Sequence, residues 1–397
     1  MRVLYASTLY PPSVGGAQLH LHQLARAVQG LGHDVRVLTH AWRTRRDWLR
    51  LSTVCARREA HRCHDGVDTS RIGFSARARL AMLPWVLLYY PSLTATSRRI
   101  AAEMAPDLER MAGAPSVVHV TRIGREFLAG ALLDLARRRG IPFVLTPNHH
   151  PRWRGPLYRE YDRIYREADA VIALTAAEKR ALVEEKGVRA ERVHVTGIGP
   201  LLAEAHSTHR FREEHRLAGR FVLFLGQQLE YKGLGALLAA APRVWRRHPD
   251  VRFVFVGPPT GYSARLFAQA RDRRVVNLGE VDLATKTSAL AACELLCVPS
   301  VQESFGGVYV EAWSLGKTVI GGRIPPIACV VDEGRDGLLS TQNPPELAAA
   351  LDRLLSDPAL CASWGAAGRA KVERHYTWER IAERTMAVYR GVAASAC

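Results

Sequence analysis

The sequence predicts an α/β chain built from two doubly wound parallel-sheet domains. Short apolar runs alternate with stretches of helical periodicity, the pattern of strands feeding helices that cover both faces of a sheet. That grammar of strand, glycine loop and helix opens the chain and restarts near residue 221. The length, 397 residues, fits two or three domains, and no apolar run approaches the roughly 20 residues of a membrane span.

In the first half, Val3–Ser7 reads as a buried parallel strand, Pro11–Gly16 as a loop and Gln18–Val28 as a helix with Leu21, Leu24, Ala25 and Val28 on one face. Gly30 and Gly32 stop it. Strands follow at Val35–Leu38, Val117–Val120, Phe143–Thr146, Ala170–Leu174 and Val193–Val195. The polar segment Gly199–Gly219 shows no strand and marks the boundary, which divides the chain at residues 1–200 and 201–376. The second half runs Phe221–Leu225, Gly226, Lys232-Gly233, a helix burying Leu237, Leu238, Ala241, Val244 and Trp245, then strands at Val251–Val256, Leu295–Val298 and Thr318–Ile320. Residues 377–397 read as a terminal helix, with Thr377 as N-cap and Trp378, Ile381, Ala382, Thr385 and Tyr389 on one face.

The net charge is +17, nearly all from arginine, with lysine only at 179, 186, 232, 286, 317 and 371. Anionic substrates or an anionic membrane surface would match it, and a solvated basic surface remains an equal reading. No nucleic-acid module accompanies the basic clusters, so no nucleic-acid partner is expected. Seven scattered cysteines fit reduced thiols. Cys55, His61, Cys63 and His64 lie close together but not at a zinc spacing, and read as a chance cluster. With too brief an apolar start for a secretory signal, the expectation is a cytoplasmic protein. Peripheral contact at the inner membrane face would use the basic first half and Trp85–Tyr90.

The densest chemistry lies at residues 299–311, PSVQESFGGVYVE. Glu303 and Glu311 flank Phe305-Gly306-Gly307, with Glu311 about one turn into an apolar helix. Carboxylates accept hydrogen bonds from hydroxyls, glycine backbone lets an anion approach, and a helix N-terminus offers free N–H groups. Their axial separation, at most roughly 12 Å by helical rise, matches the span from ribose to hexose in a sugar nucleotide. Glu303 also follows an apolar strand, where doubly wound folds bind ligands. Gly15 and Gly16 make an anion cradle between the first strand and helix, without the GxGxxG pattern of dinucleotide binding. Lys232 stands in the equivalent loop of the second half, as a point charge for a phosphate or as a surface lysine. His119, His149 and His150 lie in or after strands, as acids, bases or acceptor ligands, or as ordinary structural histidines. No Asp-x-Asp pair occurs, so no metal clamp is expected; neutralisation would fall to backbone N–H groups, Lys232 and arginines.

The run PSVQESFGGVYVEAWSLGKTV resembles the Glu-x7-Glu signature of the retaining GT4 glycosyltransferases. PPSVGGAQLHLHQLARAVQGLGHDVRVLT, VLFLGQQLEYKG, VNLGEV and YTWERIAERTMAVY are similar to the family's other blocks, in order, over nearly the whole chain. The resemblance implies a GT-B fold, two Rossmann-like domains facing across a cleft, with the acceptor on residues 1–200, the nucleotide sugar on 201–376 and residues 377–397 crossing back to the first domain. It implies transfer of a sugar from a nucleoside diphosphate sugar to an acceptor hydroxyl with retention, and no further cofactor. Gly16, beside Gly15, would touch the donor from the first domain, and Lys232 would bind the diphosphate. Glu303 and the Phe305–Gly307 backbone would hold the sugar, Glu311 the ribose, and the Gly279-Glu280-Val281 backbone the base. Two places depart from the pattern. Gln227 stands where the family usually has arginine, and Asn148 aligns with the family's histidine, leaving His150 as the preferred substitute. The acceptor is open among lipid carriers, polysaccharides and small natural products. A GT-B epimerase or phosphorylase, or a basic membrane- or nucleic-acid-binding protein with a vestigial site, are the alternatives.

Overall fold

The computed structural model describes residues 1–11, 16–41, 59–73, 75–88, 93–121, 126–149 and 158–394. The chain divides into one unit of residues 1–197 with 378 onward, and a second of Ile198–Thr377.

The first unit holds β1 (Arg2–Leu9), α1 (Gly16–Gly30), β2 (Asp34–Ala41), β3 (Ala60–His64), β4 (Val67–Arg71), α2 (Ala76–Leu87), α3 (Leu93–Ala112), β5 (Val117–Thr121), α4 (Glu126–Arg139), β6 (Phe143–Thr146), α5 (Arg159–Glu167), β7 (Ala170–Ala173), α6 (Ala176–Glu184) and β8 (Val193–Val195). The strands order as β3-β4-β2-β1-β5-β6-β7-β8. All neighbours are parallel except β3 and β4, which form an antiparallel hairpin. The sequence reading missed that hairpin. Its strands, AHRCH and VDTSR, are polar, with β3 at the sheet edge and β4 next to it, so they lack the apolar run of a buried strand. By contrast β5, β6 and β7 are buried throughout.

A buried polar chain crosses this unit. The Tyr389 hydroxyl lies 3.0 Å from that of Tyr5 and 2.5 Å from Nδ1 of His119, whose Nε2 is 2.8 Å from the Thr146 hydroxyl. Burial pushes the His119 ring down to about 3, so it stays neutral. His119 is a structural histidine that docks the C-terminal helix (Trp378–Ala394), which buries Ile381, Ala382, Thr385, Met386 and Tyr389.

The second unit contains α7 (Thr208–Glu214), β9 (Phe221–Leu225), α8 (Leu234–Val244), β10 (Arg252–Val256), α9 (Gly261–Gln269), β11 (Val275–Gly279), α10 (Leu283–Ala292), β12 (Leu295–Val298), α11 (Gly307–Ser314), β13 (Val319–Gly322), α12 (Pro325–Ala328), β14 (Gly337–Ser340), α13 (Pro344–Leu355) and α14 (Pro358–His375). The segment without strand pattern holds α7, capped by the Ser207 hydroxyl on the Arg210 N–H. The sheet is wholly parallel, in the order β11-β10-β9-β12-β13-β14. Every side chain of β9 and β12 is buried, each large one contributing about 1.5–3 kcal/mol. The chain leaves β9 toward β10 on one side and β12 toward β13 on the other. The loops after these two adjacent strands therefore part, and a crevice opens where doubly wound sheets take their ligands. Among the described residues, no helix is long and apolar enough to cross a membrane.

Candidate active site

The switch point of the second unit assembles from the loops after β9 and β12. After β9 the chain turns through Gly226, whose carbonyl oxygen would lie 2.0 Å from a Cβ on Gly257. Only glycine lets the two loops approach so closely, and Gly257 also has φ +139°. A 3₁₀ turn over Glu230–Lys232 then ends at Gly233, the left-handed N-cap of α8. This turn is pinned to the end of β12: the Val301 N–H donates to the Tyr231 carbonyl (2.9 Å), and Gln342 Nε2 donates to the Tyr231 and Pro299 carbonyls (3.0 and 2.9 Å).

That pinning brings Lys232 and Glu303 together as an ion pair whose side chains are only 18% and 13% exposed. Residues 71 apart in sequence meet because their strands are neighbours. The loop continues through Phe305, buried against Tyr376 with ring centroids 5.5 Å apart, to Gly306 at φ +85°. A Cβ on Gly306 would lie 2.4 Å from the Tyr309 ring, which is fixed in turn by its hydroxyl donating to the Val298 carbonyl (2.7 Å). Gly306 caps α11 and offers no side chain to the first N–H groups of that helix.

One turn along α11, Glu311 is 7% exposed. Its Oε1 pairs with Lys286 Nζ at 3.0 Å, while its Oε2 is buried with no hydrogen-bond partner. Burial raises the Glu311 carboxyl above its usual range, opposed by the Lys286 charge. A buried carboxylate oxygen without a donor is costly, and a ligand hydroxyl would satisfy it. Lys286 also donates to the Leu201 carbonyl (2.6 Å). The far end of α11 is held by Trp313, whose indole N–H donates to the Asp336 carbonyl (2.9 Å) and whose ring fills the space beside Gly368.

Other expected residues fall as follows. Gln227 is exposed, whereas its neighbour Gln228 is fully buried. Gln228 Nε2 donates to Asn277 Oδ1 (2.6 Å) and its N–H to the Pro258 carbonyl (3.0 Å). Glu280 is exposed and Val281 half-buried, just past β11; Gly279 turns at φ +65°, and Asp282 caps α10.

In the first unit, Gly16 opens α1 exposed, and a Cβ there would meet nothing within 4 Å. Gly15 and His150 lie outside the described residues. Asn148 follows β6 at φ +49°, a conformation asparagine tolerates, with its side-chain nitrogen buried and without a hydrogen-bond partner. His149 turns inward: its N–H donates to Glu178 Oε1 (2.6 Å) and its Nδ1 lies 3.2 Å from the Tyr165 hydroxyl. Glu178 Oε2 accepts the Leu174 N–H (2.7 Å), tying the ends of β6 and β7 together. Burial pushes its carboxyl up to about 7, against those two donors.

Sequence reasoning missed Lys286, Gln228 and Glu178. Lysine scarcity was the available signal for Lys286, one of six lysines in the chain. Glu178 carries one local signal, its place three residues after the N-cap Thr175, whereas nothing local distinguishes Gln228.

The profile for "Glycosyl transferase 4-like domain" matches residues 15–199, and that for "Glycosyl transferases group 1" matches residues 219–357. The phosphatidyl-myo-inositol mannosyltransferase of Mycobacterium tuberculosis is 38% identical over 189 residues, covering 45% of this chain and 48% of that protein. The alignment thus spans about half the length of that relative. The MMP alpha-(1->4)-mannosyltransferase of Mycolicibacterium hassiacum is 26% identical over 98% of both chains. Sucrose-phosphate synthase from Thermosynechococcus elongatus superposes with a TM-score of 0.76 at 19% identity, covering 100% of each chain, which shows the fold. The chain belongs to the GT4-type glycosyltransferases of the GT-B fold class.

Proposed function

We propose that this chain transfers a hexosyl group from a nucleoside diphosphate sugar to an acceptor hydroxyl, with retention and without a metal on the diphosphate. The observation that carries the reading is the pairing of Lys232 with Glu303 at the switch point, followed one turn into α11 by a buried Glu311 with an unpartnered oxygen. A diphosphate would take Lys232 and the N–H groups that open α11. The sugar hydroxyls would then take Glu303, and the ribose hydroxyls the free oxygen of Glu311. The Lys232–Glu303 pair would thus exchange partners on donor binding.

In the transfer, the bond from C1 to the leaving phosphate oxygen breaks and the bond from C1 to the acceptor oxygen forms on the same face. The acceptor proton passes to the leaving phosphate. Lys232 and the helix N-terminus stabilise the charge that grows on that phosphate. Glu303 favours the positive charge that develops on the sugar ring.

Both named relatives are mannosyltransferases, which makes mannose the first sugar to compare. Thermal shift with UDP, GDP, ADP and dTDP identifies the base, and acceptor-dependent release of nucleoside diphosphate then tests the reaction. Epimerised donor without acceptor, or strict dependence on phosphate, would overturn the reading. So would loss of the reaction when a chelator is added to a variant lacking the cluster described in the next subsection.

Peripheral membrane contact belongs to the same proposal. On α2, Leu80 is 72% exposed beside exposed Arg77, and Leu88 just past the helix is 49% exposed. Trp85 instead packs partly against the core, and Tyr89 and Tyr90 lie outside the described residues. Salt-sensitive pelleting with anionic vesicles, weakened by Leu80→Ser, checks this contact; pelleting that ignores both salt and Leu80→Ser refutes it.

A further inference from the structure

One cluster in the first unit plays no part in the reading above. The β3–β4 hairpin turns through Asp65 and Gly66 at φ +46° and +82°, the two left-handed residues of a tight two-residue turn. Gln29 of α1 donates to the Gly66 carbonyl (3.1 Å), so helix and turn are in contact. Here His22, from α1, faces His64 and Asp65. His22 Nε2 lies 3.4 Å from Asp65 Oδ2, and His64 Nε2 lies 3.8 Å from the same oxygen. The two imidazole centroids are 4.9 Å apart.

His22 is 3% exposed, and its Nε2 is buried with no hydrogen-bond partner. Its other nitrogen, Nδ1, is 2.8 Å from the Tyr10 hydroxyl. Tyr10 in turn hydrogen-bonds Thr69, whose hydroxyl donates to the Val67 carbonyl. His22 Nδ1 is thus engaged inside the protein, and Nε2 is the ring atom left to face the Asp65 carboxylate; a cation between the two groups would bond to both.

We propose that His22, His64 and Asp65 form a binding site for a divalent transition metal of the zinc type. All three donor atoms lie within 4.8 Å of one another. Tetrahedral ligation with bonds of about 2.0–2.2 Å places donors about 3.3–3.6 Å apart, so side-chain movements that bring the donors at most about 1.5 Å closer close the site. Two imidazoles and one carboxylate suit zinc, cobalt, nickel or copper rather than magnesium or calcium, which prefer oxygen ligands. The Tyr10 hydroxyl at Nδ1 orients the His22 ring in the manner of an outer-shell partner. The Asp65 side chain is 64% exposed, so water completes the coordination from the solvent side. The metal would tie α1 to the hairpin turn.

The site differs from the cluster noted in the sequence. Strand alternation turns His61 and Cys63 outward, and His61 is engaged by Glu59 (2.8 Å) and Ser70 (2.7 Å); Cys55 lies outside the described residues.

The test uses the full chain, stripped with a chelator and titrated with Co²⁺ and then Zn²⁺. Expected are one equivalent of Co²⁺ with the visible absorption of a tetrahedral ion, displacement by Zn²⁺, and a higher Tm with metal. His64→Ala and Asp65→Asn should each weaken Zn²⁺ binding by more than the about 10–100-fold that losing an outer-shell partner costs, the loss expected for Tyr10→Phe. His61→Asn and Cys63→Ser should bind as wild type. Circular dichroism confirms that each variant is folded, and Asp65→Asn, at an exposed turn, serves if His64→Ala is not. No saturable Co²⁺ spectrum, unchanged affinity in both ligand variants, or loss in Cys63→Ser instead would overturn the site. None of these readouts depends on glycosyl transfer.

Discussion

Replacing Lys232 by alanine removes the one lysine of the β9 loop and leaves Glu303 without its cation. Two effects then act on nucleoside diphosphate binding. At an effective dielectric of 20, a unit charge about 4 Å from a phosphate is worth about 4 kcal/mol. Wild type spends part of that on separating Lys232 from Glu303, which leaves about 2 kcal/mol, or a factor of about 30 in Kd. In the variant, the Glu303 carboxylate also lacks its counter-charge and repels the incoming phosphates. Adding Glu303→Gln to Lys232→Ala should therefore restore part of the lost affinity for the free diphosphate, although Glu303→Gln alone lowers turnover. Isothermal titration with the nucleotide selected by thermal shift measures all four proteins of this double-mutant cycle. A Kd for Lys232→Ala within twofold of wild type would refute the partner exchange. So would a double variant that binds no better than Lys232→Ala.

Glu311→Ala should weaken donor and nucleoside diphosphate alike, by about 1.5–3 kcal/mol in titration, because a charge-assisted contact to the ribose is lost. Lys286→Met leaves Glu311 buried without its cation, so its carboxyl should rise further and donor binding should fall as pH is lowered, a dependence weaker in wild type. Gly306→Ala forces a Cβ against Tyr309 at positive φ; chemical denaturation should show a loss of at least about 1–2 kcal/mol, with turnover reduced in the folded fraction. Glu178 sets a pH dependence of stability. Its folded pKa of about 7 exceeds the model-compound value of 4.5, so its contribution is fully present below about 4.5 and is lost as pH rises through about 7. The change is about 3 kcal/mol, and subtracting the denaturation profile of Glu178→Gln from that of wild type isolates it. Parallel profiles would contradict the assignment.

The fold was legible wherever strands are buried on both faces. Val117–Val120, Phe143–Thr146, Phe221–Leu225 and Leu295–Val298 announce themselves as apolar runs because no polar face interrupts them. The β3–β4 hairpin was not, since edge strands with polar alternation resemble loops until their turn and partner are known. At the site, Glu303, Gly306 and Glu311 were legible because strand end, glycine turn and helix start follow one another in a single segment. Lys286 was not: it reaches Glu311 from α10, and its neighbours LATKTSALAA carry no mark of a buried ion pair. His119 misleads in the opposite direction, a polar residue in a strand whose partners, Tyr389 and Thr146, lie far away in sequence.

The departure at Gln227 takes on a physical meaning from this arrangement. An arginine there would add a fixed cation to the β9 loop, but Gln227 is exposed and uncharged. The loop's charge then rests on Lys232, and that charge is already neutralised by Glu303. Before the donor arrives, Lys232 and Glu303 balance each other, so an inorganic anion would gain little from this lysine. On the proposed reading, a nucleoside diphosphate sugar would supply an anion for Lys232 and hydroxyls for Glu303 together, and so would compensate both ends of the pair it separates. Selectivity for the intact donor over free phosphate would follow from that coupling rather than from excess positive charge. Restoring the arginine with Gln227→Arg should then strengthen inorganic phosphate and free diphosphate binding more than it strengthens binding of the sugar nucleotide. Competition titrations with all three ligands check this, and a uniform gain across them would show that Lys232 and Glu303 act independently.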